Sequence, residues 1–417
     1  MKKEYDVIII GGGTAGVPAA VQSARAGADT LLVEKCGQLG GTITVAGVDA
    51  PALFHAWDRQ VVAGIGWEMM EKLVPEGGAV LPDVSSGGPW QNSNSVKINI
   101  PLFSALADRM VKESGCELLL HAMLAEAACA DDGWQITLCT KRGLSRVKCR
   151  VLVDCTGDAD AVRIAGFKVR THPSRQPGTL SFRMGGYDMD SLDTGSIQEA
   201  YEKACREGTL LRSDSGWHGG KIAAVLKKRG INSIHVCGID GSDSESKTAA
   251  EVKARETMRR LYLFLRKNKG LENLVIEEVS QECGIRETVT IIGKKTVTLE
   301  DYTSGRVWDD AVCCSFYPID LHTDEGLDFR KLPEGAVPTI PRGAMLPEGS
   351  SFLIAAGRHI SGDRLANAAY RVQATCMAMG QAAGAMAALS AKNGCDPEQL
   401  DVGSIRDLLR KHGAIVP

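Results

Sequence analysis

Gly11, Gly13 and Gly16, followed by Glu34, form the sharpest chemical pattern in this chain. The G-x-G-x-x-G spacing permits a tight turn, a close backbone approach to a pyrophosphate, and close packing of a helix on a strand. An acid roughly twenty residues on stands where it accepts hydrogens from ribose hydroxyls. A second glycine-rich turn, Gly40–Gly41–Thr42, comes soon after Glu34. It suits a chain that folds back along an extended dinucleotide and keeps it. The chain has one complete fingerprint, so no second domain for NAD(P)H is evident. Both points favour FAD as the dinucleotide.

Other residues carry acid–base or anion chemistry. Hydride transfer from an alcohol or amine needs a base, and histidine titrates near neutrality. Of eight histidines, His322 in YPIDLH and His359 in GRHIS are the leading candidates, with His172 behind them. Arg286 and Glu287 are adjacent in GIRET, so on a strand they point to opposite faces. Arg286 is expected to hold a carboxylate or enolate, and Glu287 to make a structural ion pair. Arg342 and Arg371 face a similar choice between an anion or flavin contact and a structural pair. Several arginines around one pocket would favour an anionic or heavily oxygenated substrate. Cys36 and Cys376 read as small buried residues rather than flavin attachments or redox thiols.

The elements needed to position these residues are legible around them. Tyr5–Ile10 is an apolar run of strand length, suited to a buried parallel strand. Val17–Ala26 reads as a helix that Gly27 stops, and Thr30–Val33 as a second strand leading into Glu34. Pro101–Ser114 looks helical, and Cys116–Ala130, Trp134–Cys139 and Arg146–Val153 look like strands. The last ends in DCTGDADAVRIAG, placing Gly157, Asp158 and Asp160 beyond a strand's carboxyl end, where open α/β sheets bind ligands. Residues 76–95 read as a loop. From about Thr171 the pattern turns polar, with helices around Ser196–Gly208 and Lys247–Lys269. Short β-like runs follow Arg286, with turns at Asp324–Gly326 and Pro333–Gly335. A strand at Ser351–Ala356 and a helix beginning near Thr375 close the chain.

The totals exclude several classes. A length of 417 residues suggests two or three domains. The net charge of −3 offers no basic excess for nucleic acid or an anionic membrane. The 13 cysteines include no C-x-x-C, which argues for reduced thiols in the cytoplasm and against metal ribbons or iron–sulfur clusters. No metal site is expected. MKKEYDVIII opens like a signal peptide, but the run ends in GGG with no cleavage site, so none is expected. TCMAMGQAAGAMAALSA carries the membrane-like G-x-x-x-G at Gly380 and Gly384. It is short for a span, and its context makes it a core helix.

The ordered blocks YDVIIIGGGTAGVPAA, VLVDCTGDADAVRIAG, QPGTLSFRMGG, ECGIRETVTIIGKKTVTLEDY, YPIDLH, AAGRHIS and RVQATCMAMGQAAG resemble the bacterial FAD-dependent oxidoreductases. These belong to the glutathione-reductase-like flavoproteins. The resemblance implies an α/β fold: a Rossmann-like FAD-binding domain with an inserted α+β substrate domain. The expected division is 1–50, 97–170 and 335–417 for FAD, with 51–96 and 171–334 as the cap. Gly11, Gly13, Gly16 and Glu34 would hold the ADP half, with Thr14, Ala15, Lys35 and Ala122 alongside. Gly40, Gly41 and Thr42 would line the pyrophosphate and ribityl path, and Thr156, Gly157 and Asp158 would pass close to FAD. Gly357, Arg358 and Gly380 would flank the isoalloxazine, near Arg371. Relatives often carry a histidine near Arg364, so acid–base chemistry is not carried over to that position. The implied activity is hydride transfer between flavin N5 and a small organic substrate, with an external electron acceptor or donor. The alternatives are an electron-transfer subunit with an iron–sulfur partner, or a non-redox flavin-binding isomerase.

Overall fold

Tyr5, Val7 and the three isoleucines that follow need burial on both faces, and the first strand, β1 (Glu4–Ile10), obtains it at the middle of a sheet. The computed structural model describes residues 1–83, 95–130, 132–323 and 326–417. Beside β1 lie β2 (Thr30–Glu34), β3 (Glu117–Leu120), β4 (Met123–Ala130), β5 (Gly133–Thr140), β6 (Gly143–Asp154) and β7 (Leu353–Ala355). The sheet order is β3-β2-β1-β6-β5-β4, with β7 also on β6. The first half of β6 pairs antiparallel with β5, and its second half pairs parallel with β1 and β7. His121, at a φ of 57°, separates β3 from β4, so the expected strand 116–130 is two strands.

Strand alternation sends Val7 and Ile9 to one face and Ile8 and Ile10 to the other. The first face is covered by α1 (Gly16–Arg25), α2 (Ile100–Glu113) and α3 (Gln373–Asn393). The α1–α3 contact explains the small residues of α3. A Cβ on Gly380 would lie 2.0 Å from the Ala15 carbonyl oxygen, and one on Gly384 would lie 2.2 Å from that of Ala19. Both helices use the same four-residue step, so their backbones touch along one stripe. Gln381, the polar exception, donates to Gln22 Oε1 and accepts from the Ile65 N–H at 2.9 Å. Among the described residues no helix is long and apolar enough to cross a membrane.

A separate buried cluster runs from Leu180 to Cys283, including Phe182, Tyr201, Val225 and Leu261. Residues 53–79, 96–98, 297–321 and 332–346 instead contribute to the large core on the α1–α3 face. The segment with its own core is therefore smaller than the expected cap of 51–96 and 171–334. Pairing explains this: Val289–Ile291 is bonded to Val169–Thr171, and Ile291 N–H donates to His359 O, which returns the chain to the sheet. Residues 84–94 of the expected loop, and 324–325 of the expected turn, lie outside the described residues.

Candidate functional site

Two polar regions emerge, the first beyond the carboxyl ends of the parallel strands. The first is built of backbone. Gly11 has a φ of 99°, and a Cβ there would meet Cys155 O at 2.6 Å. A Cβ on Gly16 would fall 1.7 Å from Gly11 O, so neither position admits a side chain. The second glycine turn docks on the first: Gly40 N–H donates to Gly12 O at 2.8 Å, and a Gly41 Cβ would lie 2.8 Å from Gly13 Cα. Glu34 leaves the end of β2 and accepts from the N–H groups of Gly12 at 2.6 Å and Cys36 at 2.7 Å. Ala122 N–H donates to Glu34 O. No side chain caps α1 and no acid sits in its first turn, so its partial positive charge is available to an anion. Gly11–Gly16, Glu34, Gly40, Gly41 and Ala122 are thus brought together, whereas the Lys35 side chain is exposed. Cys36 is buried, and burial beside Glu34 pushes its thiol up to about 12.

Asp154, the last residue of β6, organises the neighbouring turn. Its buried carboxylate accepts from Thr156 N–H at 2.9 Å, Thr156 Oγ1 at 2.7 Å and Val162 N–H at 3.0 Å. Gly157, at a φ of 82°, leaves room for the Arg358 guanidinium, which pairs with Asp158 at 2.7 Å. Burial would raise the Asp158 carboxyl, but Arg358 outweighs it and holds the group below the usual range. Gly357, at a φ of 118°, lies beside Ala15 at the start of α1. Asp154 was missed by motif reading; its only signal was an acid ending an apolar strand.

His359 does not fit the expected catalytic role. It has no exposed surface, and its Nε2 lies 3.4 Å from Asp154 Oδ1. The ring packs beside the Asp154 turn, away from His322, Arg286 and Arg371, and neither of its nitrogens closes a hydrogen bond among the described residues. Gly380 is likewise explained by helix packing: its bare Cα faces the Ala15 backbone, so its effect on the cradle runs through α1.

The second region is a seam of side chains between the Leu180–Cys283 core and the strand Ile319–Thr323. A short ladder pairs Gly178–Leu180 with Ile234–Val236, and Thr179 also bonds Gly284 in both directions, which fixes the approach of Arg286. Arg286 Nη1 donates to Pro177 O at 3.0 Å and to Thr179 Oγ1 at 2.5 Å, and Nη2 donates to Asn232 Oδ1 at 3.3 Å. It makes no ion pair among the described residues. Burial, with the nearby Arg371 charge, lowers its pKa to about 10.

Asp320 and His322 sit two apart on Ile319–Thr323 and so share a face. His322 Nε2 lies 3.5 Å from Asp320 Oδ1, and its N–H donates to Gln176 Oε1. Arg371 follows the helix Arg364–Tyr370 and donates to Asp320 O at 2.9 Å, with Gln176 Oε1 and Asp320 Oδ2 also in reach. Burial would raise the Asp320 carboxyl, but the His322 contact and the two arginines hold it down at about 2. Burial lowers the His322 pKa, only partly opposed by Asp320, so the ring is neutral near pH 7. Two guanidinium charges therefore face one carboxylate, and the seam carries a net positive charge.

The remaining expectations divide cleanly. Glu287 pairs with Arg364 at 3.0 Å, which gives Arg364 a structural partner. Arg371 belongs to the seam rather than to the glycine cradle. Arg342 donates to Leu400 O and Pro397 O, and exposed His172 closes a local turn with Ser174. Gln176, His235 and Asp320 were not singled out, because no spacing pattern links residues from such distant segments.

A model of the family described as FAD dependent oxidoreductase matches residues 6–409. Digeranylgeranylglycerophospholipid reductase 1 of Methanothermobacter thermautotrophicus is 25% identical over 234 residues, 52% of this chain and 54% of that protein. The chain thus matches about half the length of that relative. Dihydrolipoyl dehydrogenase of Trypanosoma brucei brucei is 47% identical over 53 residues, 12% of this chain and 11% of that one. Among solved structures, a geranylgeranyl bacteriochlorophyll reductase-like protein from Thermoplasma acidophilum aligns with a TM-score of 0.46 at 13% identity, over 98% of this chain and 82% of that one.

Proposed function

This chain belongs to the FAD-dependent oxidoreductase family and is an FAD enzyme; from that premise we propose that it moves a hydride between flavin N5 and a small organic carboxylate held at the Arg286–Arg371 seam. One observation carries the proposal: half-buried Arg286 bonds neutral oxygens and makes no ion pair among the described residues, with the Arg371 charge nearby. A charge partly withdrawn from water without a counter-ion is costly, so a ligand anion is its natural complement.

The cradle fits FAD by its donor set. The uncapped start of α1 and the two bare glycine turns suit the pyrophosphate. Glu34 accepts two backbone hydrogens and keeps lone pairs for ribose hydroxyls. A single cradle on a parallel sheet flanked by an antiparallel meander supports a glutathione-reductase-like arrangement, with the 180–283 core as the substrate-facing cap. Bound flavin supplies hydride transfer at N5. Arg286 and Arg371 bind and orient the substrate carboxylate. Asp320 orients His322, whose neutral ring would take the O–H or N–H proton of the substrate as the hydride leaves the same carbon, or return it in the opposite direction.

The test is anaerobic bleaching of the flavin in the purified holoenzyme by a panel of carboxylic acids and their neutral amides. Acids should reduce or reoxidise the flavin and amides should not. Arg286→Met should lower kcat/KM for acids about 100-fold, the scale of a lost charged hydrogen bond, with flavin content unchanged. Equal reaction with amides would overturn the proposal. So would a flavin that responds only to a copurifying iron–sulfur protein.

A further inference from the structure

His235 has no motif around it, yet it stands at the centre of the seam. Its strand is held opposite Gly178–Leu180, with His235 directly across from Thr179, whose hydroxyl accepts from Arg286. Its ring centroid lies 5.4 Å from that of His322, tilted by 43°. Gly216, at a φ of 60°, brings bare backbone against it: a Cβ there would lie 3.1 Å from His235 Nδ1. The Ser233 backbone is close enough to favour the charged ring weakly. Even so, both ring nitrogens are shut off from solvent and neither closes a hydrogen bond among the described residues. Burial, with the charges of Arg286 and His322, pushes the imidazolium down to about 2, so His235 is a neutral ring with one donor and one acceptor.

Burying such a group without partners is costly. Leucine or phenylalanine would fill the same volume without that cost. The orphaned ring faces His322, and the Asp320 carboxylate lies between His322, at 3.5 Å, and Arg371, at 3.4 Å. The imidazoles and the guanidinium groups are therefore neighbours around one carboxylate. We infer that the seam selects a carboxylate bearing a hydroxyl or carbonyl oxygen on the adjacent carbon, with His235 and His322 taking that oxygen while Arg286 and Arg371 take the carboxylate. His235 is then a specificity residue. An acid without the oxygen leaves the His235 nitrogens unpaired, and sites built to pair a substrate oxygen discriminate strongly against analogues lacking it. The inference rests on the carboxylate reading above and adds the second oxygen to it.

Matched acids test it: lactate against propionate, and 2-hydroxyglutarate against glutarate, titrated anaerobically into the holoenzyme while the visible flavin spectrum reports binding. The wild type should bind the oxygenated member of at least one pair about tenfold more tightly or better. His235→Phe should bring that ratio close to one, chiefly by weakening binding of the oxygenated acid. His235→Gln, which keeps a donor and an acceptor, should restore part of the ratio. Flavin content reports folding, and if His235→Phe loses its flavin the Gln variant decides: a ratio intermediate between wild type and one supports the assignment, and an unchanged ratio overturns it. Wild type that binds both members of each pair equally would sink the inference and leave the carboxylate reading standing. Wild type that binds none of the four acids would sink both.

Discussion

The glycine cradle and the arginine seam are polar regions built from different materials. In the cradle, Gly11, Gly16, Gly40 and Gly41 contribute backbone and the absence of side chains, and the charge comes from the end of α1. In the seam, Gln176, His235, Arg286, Asp320, His322 and Arg371 contribute side-chain tips from five separate segments. The cradle cannot change without moving the fold, because its contacts are the contacts of the fold. The seam sits on already paired strands and helices, so its tips can be exchanged while the scaffold persists. The first arrangement suits a cofactor that is retained, and the second suits a substrate that differs between relatives.

The largest expected effect would show whether the cradle and the fold are inseparable. Gly380→Leu places a side chain where the Ala15 carbonyl already lies and should displace α1, destabilising the protein by about 3 kcal/mol, at the upper end for overpacking. The ratio of flavin to protein absorbance and the thermal midpoint should fall together. Flavin lost with an unchanged melting curve of the apoprotein would mean that Gly380 meets the cofactor directly and would break the contrast.

The seam should behave the other way. His322→Gln should retain flavin and thermal midpoint while kcat falls by roughly 10²–10⁴, the range for removal of a general base. The pH profile carries a sign. The base must be neutral to accept a proton, and burial lowers its pKa from the ordinary 6.5. Wild-type activity in the oxidative direction should therefore hold as pH falls to 6.5 and decline only below it, and His322→Gln should lack that acid limb. An acid limb that survives in the variant would assign it to another group.

The smallest effect is expected at Cys36, which lies beside the cradle without serving it. Its thiol is pushed up to about 12 by burial, so at pH 7.5 it is almost entirely protonated and should resist iodoacetamide. Cys36→Ser should leave flavin content and turnover within twofold. Rapid labelling with loss of flavin would move Cys36 into the site.

Legibility in the sequence follows the same divide. The strand–turn–helix–strand unit around Gly11–Gly16 was readable because its parts are close in sequence and its glycines have a steric reason visible from spacing alone. Arg286 and Glu287 were expected to face apart on a strand; both lie outside any strand, before Val289–Ile291, and still turn to different partners, one bonding Thr179 and the other pairing with Arg364. His322 and His359 looked alike in their motifs. Only packing separates them, by closing His359 over Asp154 and leaving His322 at the seam. Gly380 looked like a cofactor contact because small residues serve ligands and helices equally well, and the Ala15 carbonyl opposite it is invisible along the chain. His235 had no signal, because an isolated histidine in a short strand acquires meaning from neighbours that arrive from elsewhere.

The sequence by itself determined the dinucleotide cradle, since backbone geometry and burial periodicity are local properties written into consecutive residues. Tertiary structure alone decided which arginines, histidines and acid meet at the seam. Side-chain convergence depends on how distant segments are brought together, and on which charges the closing interior leaves without a partner.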